Sequence, residues 1–313
     1  MKGSHPKVTV VGSLVMDLVF RVGHRPKPGE TLLGQEFGMF LGGKGFNQAV
    51  GCRRLGAEVV LVGRVGRDSF GDRFIKKLHA EGMATRFVNY DEELGTGVAS
   101  PTVFPDGNNS IVGIPRANMT LSPEDVDAAE KPIAESDVLM LQFEVNPEAS
   151  KRAADIARRY DTTVVLDPAP VHAECDNIDW PTDYLVPNEI EANMLAECNS
   201  PEEWARELYD EDLSAVVISR GRAGALVIDS SGTREFPGYL IEVTDTTGAG
   251  DAFRAGLAVQ LAAGRPVDEA VRFANGCGGF ACTRMGAEPS MPAASDVEEF
   301  MKQHRPEPVE AER

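Results

Sequence analysis

Short runs of β-branched and aliphatic residues alternate along most of this chain with stretches whose apolar residues recur at helical spacing, and few folds accept that alternation. Residues 7–11 form the first run and end at Gly12 and Ser13, the pattern of a central strand. A helix is predicted over 45–55, where Ala49, Cys52 and Leu55 share a face, then a strand over 59–65 and a helix over 69–81. The rhythm resumes with strands at 138–143, 163–167, 184–186 and 215–219, and with helices at 147–160 and from Glu189. A hairpin-like pair at 225–229 and 233–236 follows, and two helices, 249–263 and 267–282, close the order. Strands joined through helices pair in parallel, so the expected fold class is α/β, a mostly parallel central sheet flanked by helices on both faces. Ligands of such a sheet sit beyond the carboxyl ends of its strands.

Two β-rich regions break the rhythm. Residues 14–22 and 31–40 are extended stretches separated by Pro26, Pro28 and Gly29, and 95–114 reads as a hairpin turning at Asp106, Gly107 and Asn108. They predict a small separate β-sheet, a lid contributed by about 14–40 and 95–114. No internal repeat, Gly/Ser linker or composition break divides the chain, so residues 1–313 are expected to form one α/β domain. The segment 305–313 is rich in proline and glutamate and is expected to fray.

Composition narrows the function. With 42% hydrophobic and 26% charged residues the chain is an ordinary globular protein rather than a disordered or fibrous one. No apolar run reaches the roughly 18 residues of a membrane span, and residues 1–6 lack a secretory signal, so a cytoplasmic protein with no membrane partner is expected. The 31 basic and 49 acidic residues leave a net charge of −18, which repels polyanions and argues against nucleic acid as a partner. That acid-rich surface suits a high-salt cytoplasm. Cys52, Cys175, Cys198, Cys277 and Cys282 form no C-x-x-C pair and are expected to be reduced thiols. An anionic ligand would have to be held by local backbone dipoles or a metal ion.

One segment offers such a device. Asp245-Thr246-Thr247-Gly248-Ala249-Gly250-Asp251 leads straight into an apolar helix, where small residues and a helix start gather N–H groups around a phosphate without any lysine. Asp251 either accepts a proton from a hydroxyl attacking that phosphate or merely complements the helix dipole. A second glycine-rich segment, Gly42-Gly43-Lys44-Gly45-Phe46-Asn47-Gln48, also precedes a helix, and Asn47 could fork onto vicinal hydroxyls. Neither segment carries the Walker pattern or the G-x-G-x-x-G dinucleotide fingerprint, which argues against a Rossmann dehydrogenase.

Together these segments resemble the two signatures of the ribokinase-like (PfkB) carbohydrate kinases, and Pro187-Asn188-Glu189-Ile190-Glu191 is similar to the family's N-x-x-E element. The resemblance runs from about Val8 to Pro292 and extends to Gln142-Phe143-Glu144, Asp167-Pro168-Ala169-Pro170 and Thr283-Arg284-x-Gly286-Ala287. It implies a ribokinase-like three-layer fold with a β-lid, and ATP-dependent phosphorylation of a sugar hydroxyl. Asp251 would be the catalytic base, with Gly248, Ala249 and Gly250 in the anion hole. Asp17, Gly43, Lys44, Asn47 and Glu144 would hold the sugar. Asn188, Ser219, Gly221, Gly224, Thr247, Gly248, Gly250 and Asn275 would line the nucleotide. Glu191 would reach Mg²⁺ through water, and Asp245, Thr247 and Ser290 would lie near a monovalent cation, K⁺ in particular. Asn188 and Glu191 also fit a plain helix cap.

Ribose leads as the implied acceptor, with a nucleoside, a ketohexose or another pentose derivative as alternatives, and the implied assembly is a homodimer through the lid. Three residues depart from the family pattern. Val15 stands where an asparagine is usual, Phe46 where a small residue is usual, and Arg254 where a small or amide residue is common. Val15 loses a polar sugar contact, Phe46 either narrows the pocket or packs under the helix, and Arg254 is expected near a phosphate on the substrate. A non-catalytic sugar or nucleotide sensor is the reading from another class, against which the intact Asp251 speaks.

Overall fold

The computed structural model describes residues 5–105, 109–171, 180–198 and 200–307. From the N-terminus β1 (Lys7–Val11) leads into β2 (Val15–Arg21) and β3 (Glu36–Gly42), followed by α1 (Lys44–Arg54), β4 (Glu58–Gly66), α2 (Ser69–Ala80) and β5 (Val88–Asp91). Strands β6 (Gly97–Val103) and β7 (Asn109–Ile114) then precede a 3₁₀ turn and the short helices α3 (Pro123–Asp127) and α4 (Glu130–Glu135). Next come β8 (Val138–Gln142), α5 (Pro147–Arg159), β9 (Thr163–Asp167), β10 (Tyr184–Leu185), α6 (Glu189–Ala196) and α7 (Pro201–Leu208). Strands β11 (Ala215–Ser219), β12 (Ala225–Asp229) and β13 (Gly232–Phe236) are followed by α8 (Ala249–Ala262), α9 (Val267–Ala281), α10 (Ala287–Ser290) and α11 (Ala294–Gln303).

Nine strands form the large sheet in the order β13-β12-β11-β10-β9-β8-β1-β4-β5. It is parallel from β11 to β5, and at the other edge β12 runs antiparallel to β11 and β13 antiparallel to β12. Strand β1 is interior, as its apolar run predicts, and its side chains alternate between two cores. Val8 and Val10 pack with α1, α8 and α9 on one face, whereas Val11 packs with α5 and the α3–α4 segment on the other. Helix α8 is buried from Asp251 to Val259, which explains why its sequence is apolar nearly all round.

The small sheet has the order β3-β2-β6-β7, with β2 and β6 parallel and the other pairs antiparallel. Asn118 pins it to the body. Its Oδ1 accepts from Leu14 N at 3.0 Å, and its Nδ2 donates to Leu14 O at 3.0 Å and Pro115 O at 3.1 Å. Leu14 enters β2 and Pro115 leaves β7, so the first entry into the small sheet and the last exit from it meet one side chain.

Several expectations need correction. The strand expected over 31–40 begins only at Glu36, because Lys27 N and Glu30 Oε2 close a turn and pairing with Arg21 starts beyond it. The segment expected to fray from Arg305 is anchored at its start: Pro306 pairs with Tyr239, and Glu307 N donates to Gly238 O at 3.0 Å. Strand β5 and the helices α3, α4, α7 and α11 were not anticipated. The turn expected at Asp106, Gly107 and Asn108 lies outside the described residues, as does Cys175. The other four cysteines are free thiols. Among the described residues no helix is long and apolar enough to cross a membrane.

Candidate active site

The first half of the chain contributes one wall. Gly43 precedes α1 with φ +91°, and a Cβ there would lie 2.8 Å from Val15 N and 2.9 Å from Ser13 O, so only glycine makes this turn. The turn brings the start of α1 against β1 and β8: Lys44 N donates to Glu144 Oε2 at 3.0 Å, and the Ser13 hydroxyl donates to the same oxygen. Asp17, on β2, lies beside them. Burial, and after it the charges of Glu144 and Asp251, push its carboxyl up to about 7.

Helix α8 brings the other wall. Gly248 has φ +78°, and a Cβ on it would lie 2.7 Å from Ala287 Cα, which explains a glycine at this helix start. Asp251 is buried in the first turn, where it accepts from Asn47 Nδ2 at 2.9 Å and Gln48 Nε2 at 3.1 Å. Gln48 is a bridge: the same Nε2 donates to Asp167 Oδ2 at 2.8 Å, and its Oε1 accepts from Gln142 Nε2 at 2.8 Å. Burial raises Asp251 to about 6 against the opposing pull of Lys44, with Asp167 adding to the rise and Asn47 and Arg254 opposing it. Lys44 Nζ is 3.7 Å from Asp167 Oδ2; burial would lower this lysine, but Asp167 and Asp251 outweigh it and hold it at about 12. Asn47 Oδ1 is buried and accepts no hydrogen bond, so a hydroxyl donor would complete it.

The expected amide cup is only partly free. Thr247 N donates to Asp245 Oδ1 at 2.9 Å, and Ala249 N donates to Thr246 O at 3.2 Å. Ala249 therefore drops out as an amide donor to an anion. The N–H groups of Gly248, Gly250 and Asp251 have no protein acceptor among the described residues. Asp245 stays acidic: burial opposes it, but Gly286 N at 2.8 Å and the amide and hydroxyl of Thr247 lower it. Ser290 is buried close by and donates to Ala287 O at 2.8 Å.

The expected nucleotide residues form a third group. Asn188 and Glu191 make a reciprocal helix cap, Asn188 N to Glu191 Oε2 at 2.8 Å and Glu191 N to Asn188 Oδ1 at 2.9 Å. Asn188 also pairs with Ser219 in a parallel bridge beyond the end of β10. Gly221 and Gly224 bound the 3₁₀ turn after Ser219, and Gly224 packs on the backbone at 236–238. Asn275 donates to that same backbone, at Phe236 O (3.1 Å) and Pro237 O (3.3 Å).

Of the departures, Phe46 packs: it is fully buried and meets Phe74 edge to face at 5.0 Å, so it does not narrow a pocket. Arg254, expected to face a substrate phosphate, is instead buried and ion-paired, with Nε 2.9 Å from Asp167 Oδ1 and Nη2 donating to Glu191 Oε2 at 3.1 Å. Sequence reasoning gave no role to Gln48 or Asp167, although both lie within segments it singled out. Their signal was a polar residue at an otherwise buried position, Gln48 within the small-residue face of α1 and Asp167 at the end of an apolar strand before Pro168.

The model for pfkB family carbohydrate kinases matches residues 5–294. The chain is 37% identical over 297 residues to a ribokinase of Bacillus subtilis, covering 94% of this chain and 99% of that one. It is 32% identical over 302 residues to a deoxyribokinase of Salmonella typhi, covering 94% and 98%. The solved structure of Arabidopsis thaliana ribokinase complexed with ribose and ATP has a TM-score of 0.83 at 27% identity, over 96% of this chain and 99% of that one.

Proposed function

The chain belongs to the pfkB family of carbohydrate kinases, and on that premise we propose that it transfers the γ-phosphoryl group of ATP to a hydroxyl of a pentose, ribose first, with Asp251 as the base. The position of Asp251 carries this reading: buried at the start of α8, next to the unpartnered amides of Gly248 and Gly250, and hydrogen-bonded to two side chains of α1. Asp251 takes the proton of the acceptor hydroxyl as its oxygen forms a bond to the γ-phosphorus, while the bond to the β-phosphate oxygen breaks and ADP leaves. The free amides neutralise charge on the transferring group. Asp17, Gly43, Lys44, Asn47 and Glu144 orient the sugar, and Asn188, Ser219, Gly221, Gly224 and Asn275 line the nucleotide side.

Two ions fit this arrangement. Glu191, at the cap of α6 beside Asn188, suits the outer shell of a Mg²⁺ held by phosphates and water. Asp245, kept ionised, with Thr247 and Ser290 behind the α8 turn, suits a monovalent cation such as K⁺. When bound, these ions supply positive charge around the phosphates.

Val15 favours a second acceptor. It lies two residues before Asp17 on β2, its amide against Gly43, and it offers no side-chain hydrogen bond to a sugar hydroxyl. A 2-deoxypentose has one hydroxyl fewer to satisfy, and a deoxyribokinase is among the relatives. The small sheet acts as a lid over the site, and its exposed apolar residues, Phe37 and Val112 among them, form the interface of a cytoplasmic homodimer.

An ADP-release assay over ribose, 2-deoxyribose, ketohexoses and nucleosides tests the reading. A sugar kinase releases ADP with a pentose and no ADP without one. A protein that binds sugar or nucleotide but releases no ADP with any acceptor is a sensor, and the reading fails.

A further inference from the structure

Arg254 is a buried cation that the chemistry above leaves without a task. It stands on α8 three residues after Asp251 and is only 2% exposed. Helical side chains lean toward the N-terminus of their helix, and the guanidinium accordingly lies back under the phosphate turn: Nη1 is 2.7 Å from where a Cβ on Gly250 would stand. Its Nε–H donates to Val186 O at 3.1 Å while Nε sits 2.9 Å from Asp167 Oδ1, and Nη2 donates to Glu191 Oε2 at 3.1 Å. One planar fork therefore joins the ends of β9 and β10, the cap of α6 and the underside of Gly250.

The connection continues in both directions. Asp167 accepts from Gln48, and Gln48 donates to Asp251. Glu191 accepts from Asn188 N, and Asn188 pairs with Ser219. A polar path, buried from Asp251 to Glu191, thus runs from the base on the acceptor side to the half-buried residues on the nucleotide side, with Arg254 at its middle.

We infer that Arg254 is a positioning residue for phosphoryl transfer, locking the turn that bears Gly250 and Asp251 in register with the Asn188–Glu191 cap. The inference rests on the kinase reading above. Lysine cannot replace it, because an ammonium is a point charge that does not span two carboxylates and a carbonyl at once. The charge itself matters as well. Asp251 is faced by Lys44 from α1, Asp17 from β2, Asp167 from the end of β9 and Arg254 from its own helix. Without Arg254, only Lys44 and the Asn47 hydrogen bond hold Asp251 down, and the base ionises less readily.

The test compares full-length wild type, R254K and R254Q by steady-state ADP release, varying pentose, ATP and pH. R254K keeps the charge and loses the span, so kcat falls by about 10- to 100-fold, the cost of a small misplacement, with both KM values nearly constant and the acid limb of the pH profile unmoved. R254Q loses kcat at least as far, and its acid limb moves to higher pH. A folded R254K with wild-type kcat overturns the inference, as does a folded R254Q whose limb stays in place. If R254Q does not fold, R254K decides alone. Wild type active with both variants unaltered sinks the positioning role only; wild type inactive on every acceptor sinks the kinase reading and this inference with it.

Discussion

In D251N the side chain keeps its shape and loses its charge. The introduced amide can still be accommodated, because Asn47 Oδ1, now without a partner, can turn to accept from it. Holding a carboxyl at about 6 instead of its ordinary 3.8 costs about 3 kcal/mol of folding free energy once the pH exceeds both values. The sign follows from proton binding: between those values the native state holds the proton more tightly than the unfolded chain, so this contribution to stability is lost as pH rises from about 4 through about 6. D251N lacks that loss. Urea unfolding should show the variant more stable than wild type at about pH 8, by up to about 3 kcal/mol, with the difference shrinking toward about pH 4. ADP release should fall by about 10²- to 10⁴-fold, the worth of a general base, with ATP affinity by calorimetry retained. Equal stability of the two proteins at about pH 8, or turnover near wild type, would refute the reasoning.

Burial raises both Asp17 and Asp251, so kcat/KM should fall as pH drops through the range from about 7 to about 6; a limb near 3.8 would show that burial does not tune the base. V15N restores a polar group beside Asp17 and should shift kcat/KM toward ribose over 2-deoxyribose by about tenfold or more; an unchanged ratio removes Val15 from acceptor choice. Phe37 is 58% exposed and Val112 70% exposed on the small sheet, and F37D combined with V112D should convert a sedimenting dimer to monomer. A sedimentation coefficient unaffected by the pair would place the interface elsewhere.

The alternation of strands and helices was legible because the strands are apolar on both faces or alternate, and most helices carry an apolar stripe, α8 being apolar nearly all round. Residues 7–11, 138–143 and 215–219 read as strands for that reason and lie inside the large sheet. The parallel pairing of β2 with β6 was not legible, since nothing in residues 15–21 names a partner some eighty residues on. At the site, Asp251 and Asn47 could be picked out because glycine-rich turns announce them, whereas Glu144 is pointed to only by the family resemblance. Arg254 could not be placed: an arginine at a helix start has the same sequence signature whether it reaches solvent or folds back onto buried carboxylates. Only the convergence of Asp167, Glu191 and Val186 from three separate segments decides that it is buried. Glu191 likewise showed a cap pattern that the structure realises, while its second partner, Arg254, lies 63 positions away.

The hydrogen bond from Asn47 to Asp251 joins residues 204 positions apart. The reactive centre is therefore a seam between an early and a late part of the polypeptide rather than a property of either. During synthesis the acceptor wall exists first and stays chemically silent. A ribosome must complete more than three quarters of the chain before the proposed base emerges, and a fragment cut ahead of α8 would retain the residues proposed to hold the sugar but not Asp251.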